Sequence, residues 1–185
     1  IITGKSIRTR ALVDDGSNIN NVERSLADKI GLTLDCEDID VSFRTTGSVL
    51  LNYNNEKQVK FCLRAVDKSF TSPPISATTL PQVSAAFSKI DVNPEDFGHL
   101  KGLTFTERLP HTKRSYRKYS KVEVLIGLPM AAFLQNGVPI CGEEEYHPIA
   151  FPYKLGMALA QAYHRPEEKY SGNSLFVEAQ GPPDL

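Results

Sequence analysis

An apolar strand that runs directly into Asp-x-Gly leaves a chain few ways to continue. Here Ala11-Leu12-Val13 leads into Asp14-Asp15-Gly16-Ser17-Asn18, a cluster that cannot extend a strand and must turn. A carboxylate is thereby placed at a rigid strand end, beside a glycine that lets backbone N–H groups approach and orient it. A second segment of the same texture, Val124-Leu125-Ile126-Gly127, lies far along the chain. Asp-x-Gly alone is a common turn; its flanking apolar strand and the late Leu-Ile-Gly make it a candidate catalytic loop.

The remaining chain reads as strands with short helical interruptions. Residues Ile1 to Val13 suggest two short strands around Gly4-Lys5, because Ile7, Thr9 and Ala11 alternate with Ser6, Arg8 and Arg10. Val22, Leu26 and Ile30 have helical spacing, with Asn20 and Glu23 placed as a capping pair and Gly31 as a stop. A helix is therefore expected from about Val22 to Ile30. Val41 to Phe43, Val49 to Leu51 and Val59 to Val66 read as strands of two hairpins, with turns at Thr46-Gly47-Ser48 and at Asn52 to Lys57.

Residues 68 to 110 read as an elaboration on the sheet, including a short amphipathic helix through Val83, Phe87 and Ile90. Between His111 and Lys121 the chain is basic and without apolar periodicity, as an exposed loop is. A buried strand through Val124 to Gly127 and a short helix from Pro129 to Gln135 follow. Val138 to Phe151 and Lys154 to Tyr163 suggest a hairpin plus a final strand or helix. A folded domain over residues 1–164 is expected, with residues 165–185 as a flexible tail or linker.

Composition narrows the partners. The 185 residues are 41% hydrophobic, enough for one substantial core. Lys+Arg number 21 against Asp+Glu 22, so no global charge draws nucleic acid or an anionic membrane. The 111–121 loop, despite Tyr116 and Tyr119, is accordingly read as a solvated loop rather than an RNA contact. Cys36, Cys62 and Cys141 are odd in number and lack CxxC spacing, which fits an intracellular, reducing compartment. Neither a signal peptide nor an apolar run of the roughly 20 residues that span a bilayer is read, so no membrane partner is expected. The absence of a starting Met suggests a piece of a longer chain. His99, His111, His147 and His164 lack metal-ligand spacing, and Glu143-Glu144-Glu145 with His147 is too compact for a strong site. No metal or cofactor is called for.

The apolar-apolar-apolar-Asp-x-Gly-Ser run, the helix after it, the glycine-bearing hairpins and the late Leu-Ile-Gly before a short helix resemble retropepsins. More narrowly, Arg10 to Leu32 and Val122 to Gly137 resemble the peptidase of Bel/Pao-type retrotransposon polyproteins, and Tyr153-Lys154-Leu155-Gly156-Met157 is similar to a Thr-x-Leu-Gly-Trp segment of that group. The resemblance implies a mainly β, closed-barrel subunit with a few short helices that works as a homodimer. It implies an aspartic endopeptidase acting on an extended polypeptide, the polyprotein that contains it, in the cytoplasm and within retroelement particles.

On this resemblance Asp14 is the catalytic carboxylate, Gly16 provides the turn and Ser17 supports the loop. Leu125, Ile126 and Gly127 form the shelf behind it, and Thr45, Thr46, Gly47 and Ser48 form the tip of a flap that closes over the peptide. The middle position of the triplet, usually Thr or Ser in the family, is Asp15 here. Two such carboxylates near one dimer axis repel unless one is protonated or both turn outward. Asp15 therefore motivates an alternative reading: an inactive retropepsin-fold module for dimerisation or peptide binding.

Overall fold

The first strand, β1 (Ser6–Asp14), sits inside the sheet and explains much of it. The computed structural model describes residues 5–44, 48, 50–84, 87–88, 92–106, 119–160 and 174–180. After β1 come β2 (Asn21–Glu23), helix α1 (Arg24–Lys29), β3 (Asp38–Arg44), β4 (Leu50–Arg64) and β5 (Ile75–Leu80). Two-residue strands β6 (Phe87–Ser88) and β7 (Tyr119–Ser120) pair with each other. Then follow β8 (Val124–Gly127), helix α2 (Leu128–Leu134), β9 (Ile149–Tyr153), β10 (Gly156–Ala160) and β11 (Ser174–Gln180). Single 3-10 turns occupy Pro94–Asp96 and Gly98–Leu100.

The protein is mainly β with short helices, as expected. Its nine-stranded sheet runs β3-β4-β5-β2-β8-β1-β11-β10-β9. The expected closed barrel is corrected: the end strands β3 and β9 do not join each other. The sheet instead folds back through an extra pairing of β4 with β11, where Cys62, Leu63 and Arg64 face Gln180, Ala179 and Glu178. The length of β4 is the physical reason. Its 15 residues pair first with β3, then with β5 over Gln58 to Phe61, and last with β11, so its first half extends beyond the folded-over sheet.

The core lies where the sheet folds over. Ala11 of β1, Val59, Phe61 and Leu63 of β4, Ile75 and Ala77 of β5, and Val124 and Ile126 of β8 are buried together. Leu26, Ala27 and Ile30 at α1 and Ala131 and Leu134 of α2 close over them. At roughly 1.5–3 kcal/mol for each large apolar side chain buried, this cluster dominates the favourable side of folding. A smaller cluster of Val92, Leu100, Ala150 and Leu159 lies beneath the 92–106 segment.

Several sequence expectations change. The helix begins at Arg24 rather than Val22, because Asn21–Glu23 pair as a strand between β5 and β8. The capping role expected of Asn20 and Glu23 is absent: Glu23 occupies the N-cap position without a side-chain cap, and it accepts from Ser25 and Lys121 instead. The Asn52 to Lys57 turn is a bend within one continuous strand. There Asn55 takes a positive φ of 59° and its N–H donates to Asp40 Oδ1 at 3.3 Å, while the β3–β4 register shifts between Ile39 and Val41. Just past the bend, the fully buried Glu56 accepts from Arg24 Nη2 at 2.5 Å and from Thr79 Oγ1 at 2.7 Å, tying the hairpin root to α1 and β5.

Of the segment read as elaboration, Ile75–Leu80 is an inner strand of the sheet. Phe87–Ser88 is a strand rather than helix; residues 85–86 and 89–91, with Ile90 among them, lie outside the described residues. The 165–185 segment, expected as a tail, supplies β11 between β1 and β10, with residues 165–173 and 181–185 outside the described residues. Residues 1–4 and 111–118 also lie outside them.

Candidate functional site

The Asp14 loop is built by a crossing of strands. The chain runs out along β1, turns at residues 15–20 and returns as β2, and β8 inserts between the two. It pairs parallel to β1, placing Gly127 beside Asp14, and antiparallel to β2, placing Leu125 beside Asn21. Buried Val124 and Ile126 anchor β8 in the core, so the end of β1 is fixed from one side by a strand that cannot easily shift.

Hydrogen bonds then set the turn. Gly16 N–H donates to Asp14 Oδ1 at 3.0 Å, orienting the carboxylate from its own loop, and Ser17 N–H donates to the Asp14 backbone O at 3.2 Å, closing the turn. Ser17 Oγ donates to Ile19 O at 3.1 Å, and Leu128 N–H donates to Ser17 O at 2.7 Å, joining the loop to the start of α2. Gly127 is required by contact: a Cβ there would stand 2.3 Å from Ile19 O and 2.8 Å from Ile19 C. The structure thus brings Asp14, Gly16, Ser17, Ile126 and Gly127 together, with Leu125 half-buried beside Leu12.

Asn20 is the site residue that sequence reasoning missed. Its Oδ1 accepts from Gly127 N–H at 2.9 Å and its Nδ2 donates to Ser76 O at 3.2 Å. Its backbone O accepts from Thr78 N–H at 3.1 Å. One side chain therefore bonds both the strand behind the carboxylate and β5. An Asn soon after Asp-x-Gly-Ser also reads as a helix cap, and only the crossing strand separates the two roles.

Asp14 is half-buried and opens on a groove of about 650 Å³. Ser17 and Asn21 line it on the loop side, and Phe43, Arg44 and Tyr53 of the β3–β4 hairpin form the facing wall. The Phe43 and Tyr53 rings sit 6.0 Å apart, tilted by 53°. Arg44 pairs with Leu50 across the end of this hairpin. Of the residues read as the flap tip, Ser48 is exposed with a φ of 64°, and Thr45, Thr46 and Gly47 lie outside the described residues.

Asp15 is exposed and is not part of the groove wall. Its charge is felt instead by Tyr153 of β9: burial first and Asp15 second push the Tyr153 hydroxyl above its ordinary value. The two adjacent carboxylates thus differ in setting: Asp14 is half-buried at the groove, and Asp15 is exposed outside its wall.

Other chemistry is thin among the described residues. They contain no group of three or more His, Cys, Asp or Glu placed to hold a metal ion, and no helix long and apolar enough to cross a membrane. Cys36, Cys62 and Cys141 are all free, and burial pushes the Cys62 thiol up, away from the thiolate a nucleophile needs. Comparison with protein-family models, curated proteins and solved structures finds no match.

Proposed function

We propose that this chain is one subunit of a homodimeric, retropepsin-like aspartic endopeptidase that processes the polyprotein containing it. The observation that carries the reading is the setting of Asp14: a carboxylate at a strand end, oriented by the Gly16 N–H and backed by a crossing strand, opening on a groove walled by a hairpin. One carboxylate of this kind does not complete the chemistry. Two, one from each subunit and a few Å apart, cannot both ionise and so share a proton. One then takes a proton from water as it attacks the peptide carbonyl, while the other donates to the carbonyl oxygen. The β3 and β4 backbones suit an extended peptide that adds as a strand. No metal enters this mechanism.

The exposed setting of Asp15, outside the groove wall, supports activity, because a solvated carboxylate adds less repulsion between paired loops. The same residue carries the second reading. Without the hydroxyl usual at this position, the two loops lack one brace across the dimer, which suits a module that binds peptides without cutting them. The 111–121 loop enters neither reading as an RNA contact.

The test is to incubate the chain and Asp14→Asn with a denatured protein mixture at roughly pH 5, where a shared-proton pair works, and to identify new peptide ends by mass spectrometry. Cuts that fall by roughly 10³-fold in the variant are expected. A chain that sediments as a dimer yet makes no cuts would favour the binding module. A chain that stays monomeric at high concentration, even with a peptide inhibitor, would remove the endopeptidase reading as stated.

A further inference from the structure

Helix α2 is apolar on every side. None of its residues, Leu128–Leu134, is polar, and a helix of that kind is ordinarily covered all round. Ala131 and Leu134 are spent on the core. Leu128, Pro129, Ala132 and Phe133 recur at the spacing that shares the opposite face, and all four are exposed, Leu128 by 49% and Phe133 by 43%. Lys154 skirts this stripe, with its Nζ 3.9 Å from the centre of the Phe133 ring.

We infer that the exposed face of α2 is the surface on which a second copy of this chain docks, packing against the same face of that copy across a two-fold axis. The inference rests on the two-carboxylate reading above and adds the surface that brings the carboxylates together. Position is the first reason for a second copy rather than an unrelated protein. Gly127 pairs with Asp14, and Leu128 N–H donates to Ser17 O at 2.7 Å, so the stripe begins at the catalytic loop. Adjacent strands lie roughly 4.8 Å apart; an axis that brings two Asp14 carboxylates together therefore brings the first turn of each α2 up to the other subunit. Charge is the second reason. Asp15 is exposed in the loop bonded to the start of α2, and Lys154 N–H donates to Leu134 O at the other end of the helix. Neither side chain has an ion-pair partner among the described residues. An apolar stripe flanked by one anion and one cation is self-complementary, as an interface between identical surfaces must be. Two lysines on that face also offset the repulsion that two Asp15 carboxylates would otherwise bring to it.

The experiment follows the monomer–dimer equilibrium of the full chain by analytical ultracentrifugation over a concentration series, with circular dichroism to confirm folding. Ala132→Glu sets a charge in the middle of the stripe and should weaken dimerisation roughly a hundredfold. Lys154→Glu leaves the patch with acidic groups alone and should weaken it about tenfold, a loss that added salt relieves. Leu34→Glu, at a residue 60% exposed on the turn after α1, should stay within about twofold of the natural chain. If Ala132→Glu fails to fold, Phe133→Ser carries the test. A natural chain that dimerises while Ala132→Glu or Lys154→Glu dimerises as tightly, or while Leu34→Glu does equal damage, would overturn the inference and leave the endopeptidase standing. A dimer that Ala132→Glu breaks but that cuts nothing would keep the inference while the endopeptidase falls. A natural chain that stays monomeric would remove both.

Discussion

The two walls of the groove are made differently. On the Asp14 side, β1, β8 and β2 interlock, Val124 and Ile126 are buried, and Gly127 has no room for a single added carbon. On the facing side, β3 alternates between exposed and half-buried positions, and Leu50 and Leu51 of β4 are 55% and 38% exposed. The hairpin joins the rest of the protein at the Asn55 bend, where Arg24 and Thr79 hold Glu56. One wall keeps the Asp14 carboxylate still; the other has little core to hold it. The proposed endopeptidase would need both properties, to fix a carboxylate and yet admit a long peptide.

The comparison is broken most directly at Gly127. Gly127→Ala should cost about 3 kcal/mol or more, because its Cβ meets backbone rather than a yielding side chain; denaturant unfolding measures it. A loss below about 0.5 kcal/mol would mean that the crossing yields and the rigid-wall description is wrong. Phe43→Ala, on the facing wall, should lower stability by no more than about 1 kcal/mol, the worth of its contact with Tyr53. It should nonetheless raise KM for peptide cleavage roughly tenfold, with kcat changed less. A stability loss equal to that at Gly127 would erase the contrast between the walls.

The smallest effect lies behind the rigid wall. Tyr153 is held neutral in the folded protein, so its contribution to stability is complete below its ordinary value of about 10 and is lost as pH rises through the higher folded value. Asp15→Asn should move the tyrosinate titration, followed by ultraviolet absorbance, part of the way back down. Burial, the larger cause, remains in the variant. An unmoved titration would mean that Asp15 does not act on β9.

The part of the site legible in sequence was the part governed by local chemistry. Asp14, Gly16 and Ser17 make a turn that their own side chains and backbone explain, and Gly127 ends an apolar run where a helix starts. The α2 helix was legible for the same reason, since Pro129 stands in its first turn. What was not legible depends on partners far along the chain. Asn52 to Lys57 has the composition of a turn, yet pairing with β3 and the Glu56 contacts hold it within one strand. Asn20 has the spacing of a cap, but the Gly127 N–H reaches it first. Ile75–Leu80 follows two prolines and reads as part of an elaboration on the sheet, although β4 and β2 make it an inner strand. The closed barrel was inferred from resemblance, while the long β4 leaves the sheet with two unjoined ends.

The strand that carries Asp14 is hydrogen-bonded on one side to residues 124–127 and on the other to residues 174–180. During synthesis at roughly 5–20 residues per second, residues 6–14 emerge long before either neighbour exists. The carboxylate therefore cannot take its final position while the ribosome is still adding the second half of the sheet. Such long-range pairing also makes for slow folding, so the Asp14 loop is set only after both neighbouring strands have been made.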